Sequence, residues 1–106
     1  YKARRKAHKR IILQRSSIMF INVKKLNSKA KLPERATATS AGADLCACID
    51  DDVVLMPGDR KLIPTGLAIA VPTGYGGFVF ARSGLSSKFG VSLANCVGVI
   101  ATTEER

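Results

Sequence analysis

From Met19 onward the apolar positions come in short alternating runs broken by turn residues. No stretch repeats every three to four residues for long enough to make a substantial helix. The pattern predicts an all-β chain. Phe20 to Val23 is the first predicted strand, followed by a polar loop through Lys31 and Pro33. Leu45, Ala47 and Ile49 alternate with Asp44, Cys46 and Cys48, which predicts a strand beginning at Leu45, and Asp50-Asp51-Asp52 reads as a solvated turn. Val53 to Met56 is the next predicted strand, closed by Pro57-Gly58-Asp59, a Pro-Gly pair suited to a tight turn. Leu67, Ile69 and Val71 alternate with small residues, Pro72 to Gly77 turns the chain, and Phe78-Val79-Phe80 forms another strand. Ser83 to Lys88 predicts one helical turn, Val91 to Leu93 a strand, and Ala94 to Ile100 one arm of a hairpin. Many short strands with turn signals between them argue for a sandwich or barrel.

A length of 106 residues leaves room for one domain and excludes two-domain enzymes and (β/α)8 barrels. Apolar runs such as Leu67 to Val71 fall far short of the ~20 residues that cross a bilayer, so a soluble chain with no membrane partner is expected. The formal charge of +9 is unevenly placed. Residues 1–18 hold seven Lys or Arg and no acid, whereas residues 19–106 hold ten basic and eight acidic residues, a balance of only +2. The basicity belongs to an N-terminal extension and not to the β part. Because the first methionine, Met19, falls where the asymmetry ends, the expected natural start is Met19. Arg15-Ser16 can be encoded as a ribosome-binding sequence just upstream of it. The extension itself can bind nucleic acid through phosphates. The β part has no basic stripe and no Trp, so nucleic acid is not its expected partner. Three cysteines without a C-x-x-C pair, and a single histidine in the extension, argue for reduced thiols, a cytoplasmic setting and no zinc site.

Three segments carry candidate chemistry. Ala41-Gly42-Ala43-Asp44-Leu45 places an acid between small residues, where a carboxylate can hold Mg²⁺ directly or through water; a plain strand-edge Asp is the simpler alternative. Ala81-Arg82-Ser83-Gly84-Leu85-Ser86-Ser87-Lys88 offers a guanidinium, a hydroxyl and backbone N–H groups together, the parts of an anion site. Arg82 can equally pair with a carboxylate of its own protein. Ala94-Asn95-Cys96-Val97-Gly98-Val99-Ile100 offers an amide and a glycine to a flat polar ligand, and by itself proves nothing.

Taken in order, Ser40-Ala41-Gly42-Ala43-Asp44-Leu45, Pro57-Gly58-Asp59-Arg60 with Pro64-Thr65-Gly66-Leu67, Arg82-Ser83-Gly84-Leu85, and Asn95-Cys96-Val97-Gly98-Val99-Ile100 resemble the trimeric deoxyuridine triphosphatases. The resemblance runs from Phe20 to Ile100. The related deoxycytidine triphosphate deaminases share the fold, but Arg-Ser-Gly-Leu is similar to the triphosphatase form. The resemblance implies a jelly-roll-like β fold, a homotrimer whose active sites combine motifs of different subunits, and hydrolysis of dUTP to dUMP and pyrophosphate with Mg²⁺. It implies that Asp44 helps anchor the metal shell, through water, and that Arg82, Ser83 and Gly84 form the triphosphate cradle. Asn95 and the backbone around Gly98 are implied as the uracil reader, a donor and acceptor pattern that leaves cytosine's amino group without a partner. A water would attack the α-phosphorus, with the protein supplying position, charge neutralisation and a base.

The pattern departs from the family in places. Ala81 stands where proline is usual. After Ile100 the family continues with Asp-Ser-Asp-Tyr-Arg-Gly or a close variant, whereas this sequence reads Ala101-Thr102-Thr103-Glu104-Glu105-Arg106. Ala101 takes the place of the aspartate that activates the water, and Glu104 that of the tyrosine under the deoxyribose. The fourth motif and the glycine-rich arm do not appear in the 106 residues. A one-nucleotide frame shift in a third motif reading Ser-Asp-Tyr-Arg-Gly-Glu yields Ala-Thr-Thr-Glu-Glu, so the segment 101–106 is expected to be an aberrant tail on a domain spanning residues 19–100. The expected consequences are poor folding alone and little or no dUTP hydrolysis. The alternative function is a non-catalytic uridine-nucleotide or protein-binding β domain.

Overall fold

A computed structural model describes residues 19–102. The basic extension 1–18, the place of Glu104 and most of the expected aberrant tail lie outside the described residues. Four strands and one short helix make up the regular structure: β1 (Asn22–Lys25), β2 (Leu67–Ala70), β3 (Gly77–Phe80), α1 (Ser83–Phe89) and β4 (Val97–Ile100). The chain is all-β, as its alternation predicts. β1 and β2 pair antiparallel with Val23 opposite Ile69, and β3 and β4 pair antiparallel with Val79 opposite Gly98.

Each pair forms where alternation meets a partner. Leu67 and Ile69 are half-buried while Ala68 and Ala70 face out, the period of two that the sequence shows. The first strand lies two residues later than Phe20 to Val23. Its register is set by pairing with β2 and by the Leu26 N–H, which donates to the Gly66 carbonyl at 2.8 Å. The turns behave as their residues dictate. Gly58 has φ +87° after Pro57, and the Asp59 N–H donates to the Met56 carbonyl at 2.9 Å, closing the turn. Gly74 has φ +86° in the Pro72–Tyr75 turn, which closes at 3.1 Å.

Three expected strands are not formed among the described residues. Between Leu45 and Ile49 the backbone makes one isolated bridge, Glu34 with Asp44, and one bond from the Cys48 N–H to the Pro64 carbonyl at 2.7 Å. Val53 to Met56 and Val91 to Leu93 have no ladder partner. An apolar alternation marks a segment that fits a sheet, but a strand also requires a second segment to accept its bonds. Asp50, Asp51 and Asp52 are exposed, with Asp50 paired to Lys29 at 2.6 Å, so the triplet is a solvated bend.

Packing is sparse. Among the described residues the buried apolar positions are Ala30 and Val71. The β3–β4 ladder carries Phe78, Phe80, Val97 and Val99 on one face and Val79 and Ile100 on the other. Phe80 and Val99 stay 67% and 69% exposed, so the first of these faces is uncovered, while Val79 on the second is half-buried. Between the two sheets runs an apolar groove of about 620 Å³ lined by Ile21, Val23, Ile69, Val71, Phe78 and Ile100, among others. Apart from the buried Val71, these positions stay half-buried or exposed.

Candidate active site

The site begins where β3 ends. Arg82 follows the ladder in an extended conformation, φ −70° and ψ 128°, and serves as the N-cap residue of α1 without a side-chain cap bond. The helix carries Ser83 and Gly84 in its first turn and Lys88 in its last, where a cation complements the helix dipole. It ends at Gly90, which has φ +66° and whose N–H donates to the Ser86 carbonyl at 3.0 Å. The helix buries none of its residues, which keeps Ser83 and Gly84 at the surface. A Cβ placed on Gly84 meets nothing within 4 Å, so that backbone is open to an approaching ligand.

Asp44 reaches the same place from a distant part of the chain. Its N–H donates to the Glu34 carbonyl at 2.8 Å and its own carbonyl accepts from the Glu34 N–H at 3.4 Å. Ala43 and Leu45 line the apolar groove, and because successive side chains of extended backbone point to opposite sides, Asp44 faces away from it. Its Oδ1 lies 3.5 Å from Arg82 Nε, with the two side chains 38% and 65% exposed. The first and second candidate segments therefore meet through an ion pair.

Asn95 and Gly98 belong to the opposing strand. The Cys96 N–H donates to the Leu93 carbonyl at 3.1 Å and the Val97 N–H to the Asn95 carbonyl at 2.7 Å, a γ-turn centred on Cys96 with φ +64° that leaves Asn95 exposed. Phe80 is paired with Val97, so Arg82, two residues beyond Phe80, and Asn95, two before Val97, leave the same end of the β3–β4 ladder. Gly98 lies inside the ladder, and a Cβ there would come within 3.2 Å of Val79 Cβ. Among the described residues no hydrogen bond or ion pair joins Asn95 to Arg82, Ser83 or Gly84. Ala101 leaves the opposite end of the ladder, beyond the Ile100–Gly77 pair, roughly 13 Å from Val97 at the ~3.3 Å rise of a strand.

Thr102, at the far end of the ladder, makes a contact that the sequence did not signal. Its hydroxyl donates to the Tyr75 carbonyl at 3.0 Å and lies 3.4 Å from the Pro72 carbonyl, tying the end of β4 to the turn before β3. The three cysteines carry free thiols, Cys46 and Cys96 exposed and Cys48 half-buried. Among the described residues no three His, Cys, Asp or Glu gather as metal ligands, and no helix is long and apolar enough to cross a membrane.

An antiparallel β scaffold with an arginine, a hydroxyl and an open glycine at one ladder end, and a carboxylate beside the arginine, defines a site suited to a polyanion accompanied by a cation. Residues 28–103 match the dUTPase family, and the chain belongs to that family. It is 51% identical over 80 residues to the deoxyuridine 5'-triphosphate nucleotidohydrolase of Syntrophotalea carbinolica, covering 76% of this chain and 54% of that one. The protein of the same name from Desulfitobacterium hafniense is 58% identical over 71 residues, 66% of this chain and 47% of its own. That of Wolbachia pipientis is 47% identical over 90 residues, 83% and 58%. The chain thus spans about half the length of the curated relatives it matches.

Proposed function

We propose that the chain carries the dUTP-binding half of a dUTP diphosphatase, an enzyme that hydrolyses dUTP to dUMP and pyrophosphate in nucleotide metabolism. The observation that carries the reading is the meeting of Asp44 with Arg82 beside Ser83 and Gly84, at the ladder end from which Asn95 also departs. Arg82 pairs with phosphate oxygens, the Ser83 hydroxyl donates to them, and the absence of a side chain at Gly84 lets the backbone come close. Asn95 and the backbone at Gly98 read uracil's donor and acceptor edge.

The residues present fit Mg²⁺ that arrives with the nucleotide. One partly exposed carboxylate, Asp44, cannot make a cage, but Mg²⁺ is commonly held by one or two carboxylates, waters and substrate phosphates. When bound, the ion neutralises phosphate charge. Asp44 holds its water shell and so fixes the triphosphate against Arg82.

Hydrolysis also needs a base for the attacking water. Ala101 stands in the expected place of that base and has no proton acceptor. That favours a second reading for these 106 residues, a uridine-nucleotide-binding β domain without turnover. The separation of position 101 from Arg82 along one ladder supports sites completed between copies of the chain, and the exposed face of Phe78, Phe80 and Val99 supports a homotrimer that covers it. The free thiols are compatible with a cytoplasmic location.

Calorimetric titration with dUTP and dCTP in Mg²⁺ tests the reading. dUTP should bind at least about tenfold more tightly than dCTP, because a site built to hydrogen-bond one base leaves its polar groups unpaired with another. Arg82→Ala should weaken dUTP binding by about 10- to 150-fold, the loss of a charge-assisted bond worth ~1.5–3 kcal/mol. Equal affinity for the two nucleotides, or an unaffected Arg82→Ala variant, contradicts it.

A further inference from the structure

Two ion pairs exist among the described residues, and they differ in kind. Lys29 and Asp50 are in hydrogen-bonding contact at 2.6 Å. Arg82 and Asp44 approach to 3.5 Å, beyond the ~2.7–3.2 Å of a good N–H···O bond, with both side chains partly in solvent. Their backbones are nonetheless fixed, Asp44 by its two-way bridge to Glu34 and Arg82 by the end of β3 and the start of α1. The two charges are thus held near each other by the fold and not by a tight bond, which is the arrangement of an exchangeable counter-ion.

Resting on the phosphate-site reading of Arg82 above, we propose that Asp44 is the resting counter-ion of Arg82 and is exchanged for phosphate when the nucleotide binds. In the free protein Asp44 neutralises the guanidinium. A triphosphate entering without metal must displace Asp44 and then sit beside its negative charge. With Mg²⁺ on the triphosphate, Asp44 turns to the hydrated cation, and Arg82 is released to the phosphate oxygens with no net repulsion left behind. Relief of the Asp44–Arg82 pair then contributes to the metal dependence of phosphate binding at this site. An exposed pair is worth little, so the effect is modest in size and clear in sign.

Inorganic tripolyphosphate, which has no base to read, is the probe. In the ligand-free chain the Arg82 Nε–H resonance should shift on Asp44→Asn, and in the wild type it should move when tripolyphosphate is added at millimolar concentration. Without metal, Asp44→Asn should bind tripolyphosphate about two- to fivefold more tightly than the wild type, as expected for removal of an exposed pair. Its gain on adding Mg²⁺ should be smaller. Asp50→Asn, which removes the same charge from the other pair, should leave tripolyphosphate affinity unchanged. The exchange is overturned by an Arg82 resonance that is identical in Asp44→Asn, or that stays put with tripolyphosphate. It is equally overturned by metal-free affinity that falls or is unchanged in Asp44→Asn, or by an equal gain in Asp50→Asn. An Arg82 resonance that stays put with tripolyphosphate removes the phosphate-site reading as well; a resonance that moves on binding while the metal-free affinity of Asp44→Asn is unchanged removes the exchange alone.

Discussion

Gly66 shows how much one residue's freedom can matter here. It has φ +67°, and a Cβ there would lie 2.9 Å from Ala30 Cβ and 3.0 Å from Cys48 Sγ, while its carbonyl accepts from the Leu26 N–H at 2.8 Å. Any side chain is strained by the backbone and also collides with two segments. Gly66→Ala should cost about 1–3 kcal/mol locally, so the Leu26 amide should exchange its hydrogen about 5- to 150-fold faster. Gly42→Ala, where a Cβ meets nothing within 4 Å, should leave that rate unchanged; equal rates in the two variants would refute the account of Gly66. At residue scale an arginine followed by Ser-Gly, and an acid flanked by small residues, suggest an anion and a cation before any fold is known, and the structure sets Arg82 3.5 Å from Asp44. The sequence also allowed Arg82 a carboxylate partner without saying which. The close approach at Gly66 and the Thr102 hydroxyl bond were not legible, because both depend on segments remote in sequence coming together.

At the scale of elements, the β3–β4 ladder positions the site, since its register decides that Arg82 and Asn95 leave one end and Ala101 the other. Gly98 keeps that register close, lying opposite Val79 with a prospective Cβ only 3.2 Å from Val79 Cβ. Gly98→Val should therefore push the strands apart at a cost of about 1–3 kcal/mol, as overpacking does. The check is the cross-strand proton contacts of Phe78 with Val99: they should weaken in Gly98→Val, and their persistence at full strength would show that the ladder tolerates the bulk. Alternation located β2, β3 and β4 because each finds a partner within the chain, and Ser83 to Lys88 was recognised as helical one residue short of its end. The same alternation misplaced β1 and predicted strands at Leu45 to Ile49, Val53 to Met56 and Val91 to Leu93. Periodicity records which residues suit a sheet face and is silent about the segment that pairs with them.

For the whole molecule the governing fact is the shortage of cover. Val54 and Phe89 are 71% and 72% exposed, and Leu62 is fully so, so the apolar surface that should stabilise a sandwich remains in water. A pair of two-stranded ribbons is at best marginal in that state. The 106-residue chain should keep its two ladders but melt at a lower temperature, and bind more of a hydrophobic dye, than a chimera that replaces everything after Ile100 with the remainder of the Syntrophotalea carbinolica relative; the chimera should sediment as a trimer. An unaltered chain that melts as high as the chimera and binds as little dye would contradict this. The family and the all-β class could be read from the order of four motifs, and poor folding alone is expected from the sequence as well; which positions lack cover could not be read, since composition counts apolar residues without saying what covers them. The most direct test of the central claim, that these residues hold the nucleotide but lack the group that activates water at position 101, is pyrophosphate release from dUTP in Mg²⁺ by the chain and by the chimera. Release by the chimera alone is the predicted result; release by both would mean that hydrolysis proceeds without a carboxylate at position 101 and would contradict the account.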